Sequence, residues 1–476
     1  MSSFPPDLLS LRSFLPGLVT SVGRSVPYAC ALVTARAGLQ VIKSKSMEKV
    51  NPTPPDPGIR ISAWDGAAWH SVCTNRLTDR DYLLKLAREL GSSVSVKPGP
   101  APEPGPPLDR HFESTMRQDS ASVDAKTKQQ LAGRAFAAIT GFDKRVVNAQ
   151  AVYSDDHEYR LFCDPGRLLS SDVCRTTVFC VAMAADGTRQ VMDYEFRTGT
   201  GFEAVASLED SVFTKAASDA VENLSAEKVP PAEYRCLLHP DIAGTLAHES
   251  FGHGCEVDTM MRGAARALSF IGRRVGSDLV NITDSPGMPG CNGSLFFSDD
   301  GVIAEEPVKL VKKGILQPTM MCDRYSYLMM KDRLPGLRQS ASGRLETWNH
   351  PIYARMTNTY FEPLARDQGG TSYDEMLAST DSGIQLEKMQ SGMEDPLGWG
   401  VQLQCTRGRE IKDGRFTGRL FYMVGVTGYV PDVLASVDAV GTDSRLDSVG
   451  MCGKGHKEYV RTATGGPWVR CRVRLG

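Results

Sequence analysis

The sequence predicts an α+β protein in which an N-terminal α+β domain is followed by a C-terminal β-rich domain. Strand-like runs alternate with amphipathic helices up to about residue 228, and mostly strand-like runs separated by Gly-rich turns follow. The 476 residues also suffice for two or three domains of about 100–200 residues each. We therefore expect a domain over 1–228 with an antiparallel sheet and helices, and a barrel-like or sandwich-like domain over 229–476 that carries one strong helix.

The N-terminal half begins with strand-like segments. Gly38 is interpreted as a turn between two strands, and Asp65 with Gly66 as the tip of a hairpin. Thr78 precedes an amphipathic helix that Gly91 should end. The predicted strands are 28–34, 39–42, 59–64, 69–72, 146–153, 159–163, 176–183 and 190–196, and the predicted helices are 79–91, 122–141 and 208–224.

Two proline-rich segments interrupt this pattern. Residues 51–58 should form a rigid turn. Residues 97–107, KPGPAPEPGPP, hold six prolines in eleven positions and must therefore be extended and largely exposed to solvent. We interpret 97–107 as a surface loop or linker, and a motif for a proline-binding partner is the alternative.

The C-terminal half contains one strong helix followed mainly by strands. Pro240 suits the first turn of that helix, and Ile242 and Leu246 suit its buried face. The predicted strands are 279–282, 307–310, 354–360, 399–405 and 420–426.

The predicted helix carries the motif with the clearest chemical meaning. Residues 239–258 read HPDIAGTLAHESFGHGCEVD and contain the spacing H-E-x-x-x-H at His248, Glu249 and His253. Two neutral imidazoles are typical zinc ligands, and a glutamate beside the first can act as general base on a metal-bound water. The motif therefore indicates a metal site with a hydrolytic base.

The spacing of the two histidines constrains the backbone. On a regular α-helix, side chains five residues apart point about 140° away from each other. Both can reach one metal only if the turn widens, as a π-type turn does. Gly252 and Gly254 flank His253 and would let the backbone distort. We therefore predict a helix from about residue 240 that is widened or broken near Gly252.

The third metal ligand is left open by the spacing alone. A catalytic zinc usually has three protein ligands and one open position. Cys452 lies in a glycine-flanked turn near Lys454 and Lys457, a setting that favours the thiolate. Glu256 is either a support for a ligand histidine or a solvated acid. The candidates for the third ligand are Cys255, Glu256, His350, Cys452 and His456.

Composition excludes several classes of protein. Lys and Arg number 54 against 56 Asp and Glu, so there is no global basic field for nucleic acid or an anionic membrane. No apolar run reaches the roughly 18 residues of a membrane helix, and no basic leader opens the chain. The 12 cysteines form no C-x-x-C pair and should be reduced thiols. We expect a cytoplasmic protein that contacts neither nucleic acid nor membrane directly.

Several segments together resemble the TldD/PmbA family, whose members are called modulators of DNA gyrase and are now regarded as metalloproteases. The N-terminal half is similar mainly through residues 61–75, ISAWDGAAWHSVCTN. The resemblance is strongest in EYRCLLHPDIAGTLAHESFGHGCEVD (233–258), DSPGMPGCNGSLFFSDDGV (284–302), KLVKKGILQPTMMCDRYS (309–326), ARMTNTYFEP (354–363) and GMCGKG (450–455).

The resemblance implies a ligand set and a role for each site residue. It implies that His248, His253 and Cys452 hold the metal, that Glu249 is the general base, and that the metal is Zn²⁺, with Fe²⁺ as the alternative because imidazole suits both. The PmbA (TldE) branch lacks HExxxH, so the TldD branch is the better match. After GMCGKG the family often continues to glutamine. Here His456 could contact metal or substrate, or simply form part of the turn.

The same resemblance implies a zinc-dependent peptidase that cleaves short or unfolded peptides inside a dimer cavity. The partner would be a PmbA/TldE-like paralogue or a second copy of the chain. One alternative is a non-catalytic, metal-holding regulatory or binding subunit paired with a PmbA-like partner. Another is a metal-free scaffold on a DNA-linked partner, which the near-neutral charge disfavours.

Overall fold

The computed structural model describes residues 4–454 and 459–476. It is an α+β molecule whose described residues form mainly long strands, with shorter helices packed against them, so the predicted fold class is confirmed. Every helix in the described ranges falls short of the length and apolar character needed to cross a bilayer.

An eight-stranded sheet organises the N-terminal half. Its strands are β1 (Tyr28–Ser44), β2 (Glu48–Thr53), β3 (Gly58–Trp64), β4 (Trp69–Thr74), β5 (Leu108–Glu113), β6 (Val146–Cys163), β7 (Arg167–Ala185) and β8 (Gln190–Gly199). The main path runs β4-β3-β1-β6-β7-β5, with β2 on β1 and β8 on β7. Neighbouring strands are antiparallel, as predicted, except that β5 runs parallel to β7.

Helices bury the apolar residues of this sheet. They are α1 (Pro6–Leu9), α2 (Leu15–Gly23), α3 (Arg80–Ser93), α4 (Ala125–Gly141), α5 (Glu203–Ala206) and α6 (Asp210–Asn223). Helices α2 and α3 share one core with β1 and β3, while α4 and α6 share another with β6, β7 and β8. Because side chains alternate along a strand, Val178 and Cys180 face α4 and α6, whereas Phe179 and Val181 lie on the opposite face of β7.

Some predicted boundaries in this half are wrong. β1 is one continuous strand through Gly38, where a Cβ would lie 2.2 Å from the carbonyl oxygen of Asp155. Gly38 therefore allows close approach of β6 and does not form a turn. Residues 51–58 are not all turn, because β2 extends into them. Gly91 lies inside α3, where it packs against the backbone of Val22.

The hairpins and the proline-rich segment 97–107 agree better with the predictions. The hairpins β3–β4 and β7–β8 form where predicted. Residues 97–107 form neither helix nor strand and are mostly exposed, with Trp64 Nε1 donating a hydrogen bond of 2.8 Å to the carbonyl of Pro100. The division of the chain at 228/229 stays a prediction.

A closed barrel and a second sheet form the C-terminal half. The strands are β9 (Ala232–Leu238), β10 (Ile282–Asp284), β11 (Val308–Lys312), β12 (Ile315–Leu316), β13 (Gly343–Arg344), β14 (Tyr353–Ala354), β15 (Asn358–Phe361), β16 (Ser382–Asp395), β17 (Gly400–Lys412), β18 (Arg415–Tyr429), β19 (Ala439–Val440), β20 (Gly450–Cys452), β21 (Val460–Gly465) and β22 (Val469–Leu475). The barrel order is β18-β17-β16-β9-β22, and pairing of β22 with β18 closes it. The second sheet runs β12-β11-β10-β15-β21-β20.

One buried helix joins these two sheets. The helices of this half are α7 (Pro240–Ala247), α8 (Val257–Met261), α9 (Arg324–Met330), α10 (Tyr373–Ala378) and α11 (Val430–Ala435). Helix α7 packs against β16 of the barrel and against β15 and β21 of the second sheet. The strand predicted at 279–282 begins only at Ile282, and the one at 354–360 is divided between β14 and β15. β16 was not predicted, although it lines the site described next.

Candidate metal centre

The helix that carries the motif widens where the sequence predicts. Pro240 occupies the first turn of α7, and the ring of His239 accepts a hydrogen bond from the Asp241 amide. The next five residues, His248–Gly252, form a π-helical turn, and a 3₁₀ turn follows over His253–Cys255. The predicted distortion near residue 252 is therefore confirmed.

The widened turn brings the two motif histidines together. The ring centroids of His248 and His253 lie 5.1 Å apart, with the rings nearly perpendicular at 89°. Gly252 allows this arrangement for a steric reason, since a Cβ there would lie 2.1 Å from Sδ of Met356. A Cβ at Gly254 would meet no atom within 4 Å, so no such steric constraint applies there.

Cys452 arrives at the histidines from a distant part of the chain. It ends β20, which lies at the edge of the second sheet, and its Sγ is 3.2 Å from Nε2 of His253. One ligand atom from each of His248, His253 and Cys452 lies within 4.8 Å of the others, and all three residues are buried. Arg355 fixes the approach of Cys452 because its Nη2 donates to the cysteine carbonyl oxygen at 2.6 Å.

The electrostatics of this cluster favour its metal-binding form. Burial alone would raise the pKa of the Cys452 thiol, but the charges of His253 and His248 and their hydrogen bonds hold that pKa well below its usual value. The thiolate is the form that binds metal. Nδ1 of His248 is buried and has no hydrogen-bond partner among the described residues, which is unusual for a buried polar atom. Two imidazoles and a thiolate fit a zinc-type centre.

Glu256 supports one of the histidines. Its Oε2 lies 3.1 Å from Nδ1 of His253, and Nζ of Lys454 is also 3.1 Å from that oxygen. Burial would raise the pKa of the Glu256 carboxyl, but Lys454 and His253 outweigh burial and lower it. The carboxylate is therefore charged and orients the buried ring of His253, an arrangement common around metal-ligating histidines. Glu256 is a buried partner of the site and not a solvated acid.

Two carboxyl groups face each other beside the histidines. Glu249 lies on the π-turn, and one oxygen of Glu394 in β16 is within 4.8 Å of both Glu249 and His253. Burial and the neighbouring Glu249 raise the pKa of the Glu394 carboxyl, so this group tends to keep its proton. Glu394 was not predicted, because nothing in the sequence pattern around it marks a site.

The other candidates for the third ligand do not join the cluster. Cys255 packs in the hydrophobic core, and burial raises its pKa, which disfavours the thiolate. His350 lies half-buried in a bend, and its ring hydrogen-bonds Thr347. His456 lies outside the described residues. Within the described chain, Cys452 is thus the candidate that the fold places next to both histidines.

A cavity of about 630 Å³ opens in front of the cluster. His248, Glu249, His253 and Cys452 line it together. Residues of β7, β8, β16, β20 and β21 form most of the rest of its lining. A peptide-sized molecule can therefore reach the three ligand atoms and the Glu249 carboxyl together.

Comparison with known proteins places this chain in a family. The family model of the PmbA/TldA metallopeptidase C-terminal domain matches residues 231–474, and that of the central domain matches residues 118–226. The chain belongs to the PmbA/TldD family of metallopeptidases. The resemblance seen in the sequence is thereby confirmed.

Relatives in the PmbA/TldD family carry matching names. A Methanothermobacter thermautotrophicus protein named metalloprotease is 27% identical, over 96% of this chain and 97% of its own length. A Saccharolobus solfataricus protein named zinc metalloprotease TldD homolog is 26% identical over 53% of each chain. Relatives of this kind imply a metal cofactor.

Solved structures show the same fold at low sequence identity. A Thermotoga maritima protein, solved as a candidate modulator of DNA gyrase, is 16% identical with a TM-score of 0.76 over 98% of this chain and 100% of its own. TldE from Thermococcus kodakarensis is 11% identical with a TM-score of 0.70, over 97% of this chain and 99% of its own. The PmbA/TldD fold therefore extends over nearly the whole chain.

Proposed function

We propose that this chain is a zinc-dependent peptidase of the TldD type that hydrolyses short or unfolded peptides. The observation that carries the proposal is the meeting of His248, His253 and Cys452 within 4.8 Å, with the Glu249 carboxyl beside them on the same cavity. Membership of a metallopeptidase family supports it. Fe²⁺ is the alternative metal, because imidazole ligands suit both ions.

The side chains of the site divide the work of peptide hydrolysis. Zinc, which His248, His253 and Cys452 would hold, would supply a Lewis acid that polarises the scissile carbonyl and makes water more acidic. The Glu249 carboxylate accepts a proton from the attacking water and passes it to the leaving amine. Glu394 stabilises the Glu249 carboxylate by sharing its own proton, and Glu256 keeps the ring of His253 oriented.

The strand beside the site offers a backbone for an extended peptide. β16 pairs with β9 through residues 384–386, whereas 391–395 pair with β17 on one side. Met389, just before them, has partners for both backbone groups, since its amide donates to the Asp241 carboxylate and its carbonyl accepts from the Tyr194 hydroxyl. Among the described strands, none pairs with the other edge of 391–395. An extended peptide could add to such an edge through main-chain hydrogen bonds, which bind unfolded chains without regard to sequence.

A second subunit completes the proposal. A PmbA/TldE-like paralogue or a second copy of this chain would cover the cavity and restrict access to short or unfolded peptides. The TldE structure with the same fold supports such a pairing of paralogues. We expect folded proteins to be poor substrates.

Metal content tests the ligand set first. We expect elemental analysis to find about one zinc per wild-type chain and to find it lost in Cys452→Ala. Cys73→Ala is the matched control, because Cys73 is half-buried in β4 and is not one of the clustered ligands. Absence of metal after zinc addition to wild-type protein would refute the peptidase.

A peptide-cleavage assay then distinguishes the peptidase from the alternative, a metal-holding regulatory subunit. Unfolded casein and short quenched peptides should be cleaved by zinc-loaded wild-type protein, alone or with its partner subunit. Glu249→Gln keeps the metal ligands but removes the general base, and we expect a loss of at least about 10²-fold. Zinc binding with equal cleavage by both proteins would refute the role of Glu249.

A further inference from the structure

Three aromatic rings line the same cavity as the metal cluster. Phe179 in β7 is paired directly with Phe196 in β8, and Tyr194 lies two residues earlier on the same face of β8. The ring centroids are 5.6–6.3 Å apart, with interplanar angles of 14–17°. We call Phe179, Tyr194 and Phe196 the aromatic wall. Helices α4 and α6 cover the other face of these strands and leave this one to the cavity.

Four methionines extend this apolar surface. Met192 borders the aromatic wall, Met389 and Met393 come from β16, and Met451 comes from β20 beside the proposed ligand Cys452. Met393 is 65% exposed and Met451 is 53% exposed, although both are apolar. Exposed apolar groups gathered in one concave site indicate a ligand that covers them. Methionine is unbranched and adapts to apolar groups of different shape.

Charge does not favour one sign of substrate at this surface. The carboxyl groups of Glu249, Glu394 and Asp241 line the cavity, but Glu394 tends to keep its proton and Asp241 is paired with His239. The two motif imidazoles line the same cavity, and Nζ of Lys388 lies 5.3 Å from the centre of the Tyr194 ring. Selection is therefore expected from apolar contact and not from charge.

We propose that the aromatic wall and its methionines form a subsite that selects peptides with a large apolar side chain next to the scissile bond. This inference rests on the proposed peptidase function and names its substrate class. The apolar side chain would cover the exposed methionines and pack on the rings of Phe179 and Phe196. Backbone pairing with β16 gives no such selection, so the subsite supplies the specificity.

Cleavage of matched peptides tests this selection. Quenched peptides of equal length would differ at one position, with Leu or Phe replaced by Asn or Glu, and kcat/KM would be measured with the zinc-loaded full chain. We expect the apolar peptides to be cleaved at least about tenfold faster, and Phe179→Ala to remove most of that ratio. Phe142→Ala is the matched control, because Phe142 is 45% exposed at the end of α4 and does not line the cavity.

The outcomes separate this inference from the peptidase proposal. Equal cleavage of all peptides by wild type, or an unchanged ratio in Phe179→Ala, would overturn the subsite while leaving the peptidase intact. Cleavage of no peptide would refute the peptidase, and fluorescence anisotropy with Glu249→Gln would still decide the subsite: preferential binding of labelled Leu peptides supports it, and equal binding overturns it. If Phe179→Ala fails to fold, Met393→Gln gives the same test at an exposed position.

Discussion

Replacing Gly392 by alanine should displace the general base without unfolding the protein. A Cβ at Gly392 would lie 2.5 Å from Oε1 and 2.9 Å from Cγ of Glu249, and 2.9 Å from Cγ2 of Thr245. Ordinary contacts of a Cβ are about 3.4–4 Å, so the carboxyl group must retreat by about 1 Å. Gly392 is exposed, and the nearest atom is the end of a flexible side chain, so the structural cost is small.

We expect Gly392→Ala to slow peptide cleavage and to leave zinc binding unchanged. A misplacement of about 1 Å in a catalytic group can cost about 10²-fold in rate, which is about 2.7 kcal/mol of activation free energy. We expect this loss in kcat/KM for a quenched peptide, measured with the zinc-loaded Gly392→Ala protein. Zinc content should equal that of wild type, because the three atoms nearest to the new methyl group belong to Glu249 and Thr245 and not to His248, His253 or Cys452.

The matched control lies in the same β-hairpin. Gly400 of β17 is exposed, and a Cβ there meets no atom within 4 Å. Gly400→Ala should therefore keep full activity and the wild-type melting temperature. Activity of Gly392→Ala within about twofold of wild type would refute the placement of Glu249 as base, since the steric conflict is fixed by the backbone.

The remaining predictions concern the supports of the site and of the sheet. Gly252→Ala should lose zinc and melt earlier, because its methyl group would lie 2.1 Å from Sδ of Met356; a wild-type zinc content would contradict this. Glu256→Gln should weaken zinc binding about 10–100-fold in competition with a chelating dye, because the neighbouring ligand histidine loses a charged partner; unchanged affinity would contradict this. Burial would lower the pKa of His157, but its hydrogen bonds, chiefly to Asp172, raise that pKa to about 11. Its stabilising effect should thus be complete below about pH 6.5 and decline as pH rises towards the folded-state pKa. The difference in free energy of unfolding between wild type and His157→Gln, from urea melts, should shrink from about pH 7 to about pH 9; a constant difference would contradict this.

The metal-site turn could be predicted because its signal is local. His253 lies five positions after His248, and the helical period then requires a widened turn if both bind one ion. The third partner could not be derived in this way. Cys452 is 199 residues from His253 along the chain, and its spacing alone did not distinguish it from His350 or Cys255. Its place depends on how β20 packs at the edge of the second sheet, and only the family resemblance singled it out.

The missed elements share a physical cause. β16 reads SGIQLEKMQSGMED, and its cavity end is exposed, so it lacks the alternating apolar pattern that marks a half-buried strand. Glu394 and Gly392 lie in that end and were therefore missed. Gly38 was wrongly predicted as a turn, because a glycine in a strand can mark either a turn or a close backbone approach. The sequence does not show that the backbone of β6 approaches Gly38.

A π-turn amounts to an α-helix with one extra residue, and this has a consequence for how the chain can change in length. Removing one residue from His248–Gly252 would restore a regular helix, but everything after it would shift by about 1.5 Å and rotate by about 100°. Gly252 would no longer face Met356, and His253 would no longer lie beside His248. Single-residue deletions and insertions in this turn should therefore abolish metal binding, whereas conservative replacements at Ser250 or Phe251 should leave the geometry of the site unchanged. In evolution, this segment should vary by substitution only.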